Sequence, residues 1–90
     1  MAVQIRMHPF HQDLVDGNEI VEVEGKTVGE CIAALVKRYP EVKGELLDKH
    51  GQLRNFIEVY VNGEPTYPEE LEYPVADGDI LDIVVIATSG

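Results

Sequence analysis

The apolar positions at the two ends of the chain have the patterns of strands. Val3, Ile5 and Met7 alternate with polar or small neighbours, and this period of two is typical of a half-buried strand. Residues 80–86 are instead a nearly continuous apolar run rich in β-branched side chains. Such a run suits a central strand, because a central strand is covered by protein on several sides. We therefore expect the first and last strands to belong to one sheet.

Three further strand patterns lie between them. Residues 20–23 and 56–61 are rich in Val and Ile, and the second of these segments runs into the turn dipeptide Asn62-Gly63. Residues 64–68 contain two prolines, which lack a backbone donor, so this segment predicts only a short edge strand. Residues 8–18 contain Pro and Asp-Gly signals and predict a loop.

One long helix is predicted between the second and third strands. Thr27 followed three residues later by Glu30 is the capping-box pattern of a helix start, and Pro40 marks the end. Residues 41–48 predict a short second helix or a helical turn. The apolar positions of the long helix recur with the period of one helical face: Val28, Cys31, Ile32, Leu35, Val36 and Tyr39.

This order of elements predicts an α+β fold of the β-grasp, ubiquitin-like type. One main helix must cover one face of a mixed sheet, and a crossover through that helix leaves the two terminal strands in the middle. A ferredoxin-like sandwich is the alternative. It needs a second full helix between the later strands, where Pro65, Pro68 and Pro74 stand. We expect a domain over residues 1–86 and a flexible tail over residues 87–90.

The charge of the chain is strongly asymmetric. The formal net charge is −10, and every charged side chain after Arg54 is acidic. Such a surface disfavours nucleic acids and anionic membranes and favours a basic protein partner, although it also suits a merely solubilising face. No apolar stretch approaches the roughly 18 residues that span a bilayer, and the first residues lack the pattern of a signal peptide. We therefore expect a cytoplasmic protein.

The end of the sequence has a composition that suits insertion into a narrow channel. Ala87, Thr88 and Ser89 are small, and Gly90 has no Cβ to block access to its carboxylate. Four extended residues reach about 13 Å. The alternative is an ordinary frayed end.

Several motifs in fixed order resemble the ubiquitin-like sulfur carrier family (MoaD/ThiS). They are Thr27-Val28 at the helix start, Tyr39-Pro40 at its end, Val61-Asn62-Gly63-Glu64, and Asp77-Gly78-Asp79 at eleven residues from a terminal glycine. The resemblance covers nearly the whole chain. The family includes the small subunit of molybdopterin synthase and the sulfur carrier of thiamine biosynthesis. Ser89 stands where the family usually has glycine, and Val85-Ile86 stand where the molybdopterin branch commonly has two prolines.

The resemblance implies a sulfur-carrying role for Gly90. In the family, a ubiquitin-activating-type enzyme adenylates the terminal glycine carboxylate with ATP, and sulfur then replaces AMP to give a thiocarboxylate. The chain would be a carrier and substrate, not an enzyme, and would bind no cofactor, since ATP is used by the partner. Its partners would be that adenylating enzyme and a synthase large subunit or another sulfur-accepting enzyme.

Three questions stay open at the level of sequence. The pathway is that of molybdopterin, thiamine or a related product. The docking face is predicted on the exposed side of the sheet near the tail, from Phe56, Glu58 and Tyr60. The alternatives to a sulfur carrier are a ubiquitin-like protein modifier joined through Gly90 and a β-grasp interaction module without activation.

Other candidate chemistry is weak. His8 and His11 are predicted to lie in a surface loop, because Pro9 separates them and no nearby cysteine completes a metal site. We therefore predict no metal. Cys31 lies on the apolar stripe of the helix and is predicted to be a buried, unreactive thiol.

Overall fold

A five-stranded mixed sheet forms the centre of the computed structural model, which describes residues 2–86. The strand order is β2-β1-β5-β3-β4, with β1 parallel to β5 and every other pair antiparallel. The first and last strands therefore lie side by side inside the sheet, as the sequence predicts. The strands are β1 (Val3–Arg6), β2 (Ile20–Val23), β3 (Ile57–Val61), β4 (Glu64–Pro65) and β5 (Ile80–Val85).

Helix α1 (Val28–Arg38) covers one face of this sheet. The Oγ1 atom of Thr27 accepts a hydrogen bond of 3.1 Å from the backbone N–H of Glu30, so the predicted cap is confirmed. The Glu30 carboxylate accepts at 2.8 Å from the N–H of Lys26, one residue earlier than in the standard capping box. Both contacts satisfy backbone donors at the helix start.

Removing this cap is expected to weaken the fold measurably. Thr27→Ala should lower the free energy of unfolding by about 1 kcal/mol, because a helix N–H loses its acceptor. Thr27→Ser keeps the hydroxyl and is the matched control. Urea denaturation followed by circular dichroism measures both, and equal losses in the two variants would contradict the role of the hydroxyl.

The apolar face of α1 and one face of the sheet enclose a single core. Odd-numbered positions of β1, β2, β3 and β5 point into it, whereas the even-numbered positions point away. We call the face that points away from α1 the open face. The fully buried side chains include Ile5, Ile32, Leu35, Leu46 and Leu81.

The segments between strands are more ordered than the sequence predicts. The predicted loop at residues 8–18 contains a 3₁₀ helix, Pro9–Val15, with Val15 fully buried. After α1, a 3₁₀ turn (Pro40–Val42) leads into the short helix α2 (Lys43–Leu46), which confirms the predicted second helix or turn. Between β4 and β5 the helical structure is limited to a 3₁₀ turn, Glu70–Glu72. The ferredoxin-like alternative is thus wrong, and the fold is a β-grasp.

His11 corrects the surface-loop prediction. Its side chain is only 2% exposed, and its Nδ1 atom has no hydrogen-bond partner among the described residues. Burial lowers the pKa of His11, and the positive charge of His8 would lower it further, while Glu45 opposes the shift. Burial therefore favours the neutral imidazole, because the charged form would lose its hydration inside the core.

This burial predicts a pH-dependent stability. The pKa of His11 is below its ordinary 6.5 in the folded protein, so the unfolded chain binds the proton more readily. Stability should be complete above about pH 6.5 and decrease as the pH falls, with a slope of at most about 1.4 kcal/mol per pH unit for one proton. Urea denaturation between pH 5 and 7 measures this slope. The range is chosen because it includes the ordinary pKa of His, about 6.5, and lies above that of Glu, about 4.3.

His11→Gln, which cannot gain a proton in this range, should flatten that slope whatever its absolute stability. His50→Gln replaces an exposed histidine and serves as the control. An unchanged slope in His11→Gln would assign the pH dependence to other groups.

In the described part of the chain, none of the helices has the length and apolar character needed to cross a membrane.

Candidate functional site

The end of β5 is held at a defined point of the sheet. Val85 lies opposite Ile57 on β3, and the N–H of Ile86 donates a 2.8 Å hydrogen bond to the carbonyl of Phe56. The root of the tail is thus anchored through Ile86. The predicted arm and reactive residue lie outside the described residues: Ala87, Thr88, Ser89 and Gly90.

The three predicted docking residues lie on β3 or directly before it, beside this root. Glu58 and Tyr60 are half-buried on the open face, and Phe56, just before β3, is 38% exposed. The hydroxyl of Tyr60 donates to Oε1 of Glu58 at 3.0 Å. This hydrogen bond, helped by the negative charge of Glu58, raises the pKa of Tyr60. The phenol therefore stays protonated and serves as a donor.

An ion pair at the centre of the open face was missed at the sequence level. Parallel pairing of β1 with β5 places Arg6 opposite Asp82, and the guanidinium binds both carboxylate oxygens at 2.5 and 3.1 Å. Asp82 also lies opposite Tyr60 on its other side. This bidentate contact raises the pKa of Arg6. Arg6 thus balances one negative charge of a face that would otherwise be more acidic.

A shallow concavity lies between this ion pair and the start of the first 3₁₀ helix. Its volume is about 420 Å³, and it opens beside Val84, two residues before the end of the anchored chain. The period of two in each strand was a signal for the exposure of Arg6, Asp82 and Val84. The parallel neighbour relation of β1 and β5 was needed to bring them together. The lining residues are Arg6, Met7, His8, Pro9, Tyr60, Gly63, Asp82, Ile83 and Val84.

Besides Asp82, two more acidic residues of the C-terminal third have structural partners. Asp79 accepts from the side-chain N–H of Asn62 at 2.9 Å and from the backbone of Ala76, and these bonds lower the pKa of Asp79. Asp77 accepts at 2.7 Å from the N–H of Ala2. Their oxygens are thus partly occupied by loop donors, but these donors are neutral and leave the negative charge of the region in place.

The remaining candidates do not form a second site. Cys31 is fully buried, and desolvation is the main cause that raises the pKa of its thiol to about 11, which keeps it protonated, as predicted. Across residues 2–86, the side chains of His, Cys, Asp and Glu form no group of three that could hold a metal ion.

Known proteins similar to this chain share both sequence and fold. A protein of Archaeoglobus fulgidus described as a candidate sulfur carrier is 31% identical over 91 residues, with both chains covered completely. A chain of the BexX/CysO complex of Amycolatopsis orientalis is 33% identical and superposes with a TM-score of 0.90, covering 99% of this chain and 100% of that one.

Small archaeal modifier protein 1 of Haloferax volcanii is 25% identical, with a TM-score of 0.84 and coverage of 96% and 98%. The family model described as the ThiS family matches residues 11–90. These similarities agree with the β-grasp topology and with the motifs of the sequence. The chain belongs to the ThiS family of ubiquitin-like sulfur carriers and small modifiers.

Proposed function

We propose that the chain carries sulfur as a thiocarboxylate at Gly90. The observation that supports this most directly is the anchored root at Ile86, from which four small residues lead to the carboxylate. The match to the family model also runs through residue 90. Because extended chain advances about 3.3 Å per residue, four residues would let the reactive carbon reach up to about 13 Å beyond this root.

The chemistry needs an activated carboxylate. A carboxylate oxygen of Gly90 attacks the α-phosphorus of ATP, pyrophosphate leaves, and an acyl-adenylate forms. Hydrosulfide then attacks the carbonyl carbon, AMP leaves with the electron pair of the broken C–O bond, and loss of the thiol proton gives the thiocarboxylate. ATP and the catalytic groups belong to a ubiquitin-activating-type enzyme, so this chain binds no cofactor and acts as its substrate.

The sulfur would then pass to an acceptor enzyme, such as the large subunit of a synthase, in molybdopterin or a related biosynthesis. Phe56, Glu58 and Tyr60 supply a docking surface for the partner beside the root of the tail. Ala87, Thr88 and Ser89 form the arm that enters its channel. Within this proposal the acidic open face favours an adenylating enzyme that is basic around its channel.

Intact mass spectrometry tests the proposal. After incubation with ATP, an activating enzyme of the ubiquitin-activating type and a sulfur source, the chain should gain the mass of one oxygen-to-sulfur exchange. Fragmentation should place the change at Gly90. No mass change with any candidate activating enzyme would overturn activation altogether.

A protein modifier joined through Gly90 is the second candidate. The similarity to small archaeal modifier protein 1 favours it. Here the same adenylate would react with a lysine amine of another protein, and a ladder of conjugates would replace the thiocarboxylate. An interaction module without activation, the third candidate, requires that neither product forms.

Reversing one charge on the proposed docking surface is expected to weaken association with the activating enzyme. Glu58→Lys should raise the dissociation constant about tenfold at low salt, and the difference should shrink at high salt because exposed charges are screened. Glu41→Lys makes the same change in net charge on the segment after α1 and should have little effect. Surface plasmon resonance at two salt concentrations compares them, and equal weakening in both variants would indicate net charge alone.

A further inference from the structure

Strand β2 lies at one edge of the sheet, and some of its backbone groups point away from its neighbour β1. In the antiparallel pair of β1 and β2, the N–H of Met7 donates to the carbonyl of Glu19 at 2.7 Å. Hydrogen-bonded positions alternate along such a pair, so the backbone N–H and C=O groups of Val21 and Val23 point toward β1. Those of Ile20 and Glu22 point outward.

Arg38 confirms this direction. Its Nη1 atom, on the last turn of α1, donates a 3.0 Å hydrogen bond to the carbonyl of Glu22. Its guanidinium also lies 5.3 Å from the ring centroid of Tyr39 and contacts the hydroxyl of that residue. A cation is thus held in place beside the open edge. A carbonyl oxygen has two lone pairs, so Glu22 retains capacity for a second donor.

A groove of about 430 Å³ runs between this edge and α1. Its apolar floor includes Val23 and Ala34, and Lys37 and Arg38 supply positive charge on the side of the helix. On the other side of the edge, the open face presents Ile20, which is 47% exposed, and Glu22. The cationic groups beside this edge therefore lie on the helix side of the groove, where Glu22 and Glu24 line the strand side, in a protein that is strongly acidic as a whole.

We infer that the β2 edge binds an extended acidic segment of a partner protein as a sixth, antiparallel strand. Residues of the added strand opposite Ile20 and Glu22 would exchange main-chain hydrogen bonds with them and lie on the open face. The alternating residues would point toward Lys37 and Arg38. Acidic side chains suit that second set, and apolar side chains suit the first.

A second copy of this chain fits the edge less well. Two-fold antiparallel pairing of β2 with itself would bring the Glu22 side chains of both copies onto the same face of one continuous sheet. Like charges near each other across strands are destabilising, and each copy carries a net charge of −10. The surface also differs from the proposed docking surface on β3, since β1 and β5 separate the two strands.

An octapeptide of alternating aspartate and valine, blocked at both ends, is the probe. Titration into the ¹⁵N-labelled full chain should shift the amides of Ile20 and Glu22 and slow their hydrogen exchange. The same peptide N-methylated at its valines loses the donors that face β2 and should not bind. N-methylation at its aspartates alters donors that face solvent and should leave binding nearly unchanged. The reverse pattern, or shifts confined to β3, would overturn the proposal.

Protein variants supply a second arm. Lys37→Glu combined with Arg38→Glu should weaken peptide binding at least about tenfold, since two attractive charges become repulsive. Lys49→Glu is the control, because this exposed lysine lies in the 47–53 turn, outside the groove. Glu22→Pro removes an outward donor without removing a ladder bond and should also abolish binding.

Both groove variants should still form the thiocarboxylate, which separates this inference from the proposed function. Sedimentation of the unmodified chain tests whether a second copy of the chain binds this edge instead. If the unmodified chain forms a dimer that Glu22→Pro dissociates, the proposal that the edge binds a segment of a partner protein is wrong.

Discussion

Deleting Gly90 is expected to reduce thiocarboxylate formation at least about 100-fold, since misplacing a reacting atom by 1 Å can have an effect of that size. The deletion moves the terminal carboxylate about 3.3 Å nearer the body of the protein and places it on a residue with a Cβ atom. Both changes act on the reacting carbon. Thermal unfolding should be unchanged, because the deletion lies beyond the hydrogen bond between Ile86 and Phe56. Intact mass spectrometry and a melting curve measure the two effects.

Ser89→Gly is the companion variant. Glycine is the usual residue of the family at this position, so sulfur loading should be equal to or higher than that of the unmodified chain. A normal yield from the Gly90 deletion would show that the position of the carboxylate is unimportant, and the carrier proposal would then fail. Loss of loading in Ser89→Gly would instead indicate that the partner reads the serine hydroxyl.

Leu81→Ala is expected to have the largest effect on stability. Leu81 is fully buried on β5, between Ile5 of β1 and Val61 of β3, so truncation leaves a cavity in the middle of the sheet. The cost should be about 2–5 kcal/mol, which is a large part of the 5–15 kcal/mol typical of a whole domain. Chemical denaturation measures it, and Val84→Ala is the control.

Val84 is half-buried on the open face of the same strand. Its truncation removes side-chain atoms without opening the core, so the loss should stay under about 1 kcal/mol. Equal losses in the two variants would contradict the assignment of the core to one face of the sheet. The comparison also checks the strand register, since a shift of one residue would exchange the two environments.

The order and type of the main elements were predictable from local pattern. The cap at Thr27, the apolar stripe of α1 and the Asn62-Gly63 turn depend on neighbours in sequence, so their signals are complete within a few residues. Asn62 and Gly63 both have positive φ angles, at 51° and 83°, as the tight hairpin turn requires. The β-branched run of β5 predicted a central strand for the same local reason.

The 3₁₀ helix at Pro9–Val15 was not predictable in this way. Its segment contains Pro and Asp-Gly signals that indicate a loop, and its buried residues Val15 and His11 show no clear period. The 3₁₀ helix that carries them contacts the segment Pro40–Val42, about thirty residues away. A long-range contact of this kind leaves no local signal, so His11 was expected at the surface.

By itself, the sequence determined the β-grasp order of elements, the family and the candidate reagent at Gly90. Each depends on residue type and spacing along the chain. Only the tertiary structure decided which charges meet. Arg6 and Asp82 are 76 residues apart in sequence, and parallel pairing of β1 with β5 joins them. It also decided which backbone groups of β2 are left at an open edge beside Arg38, because strand pairing is a relation between distant segments that no local pattern contains.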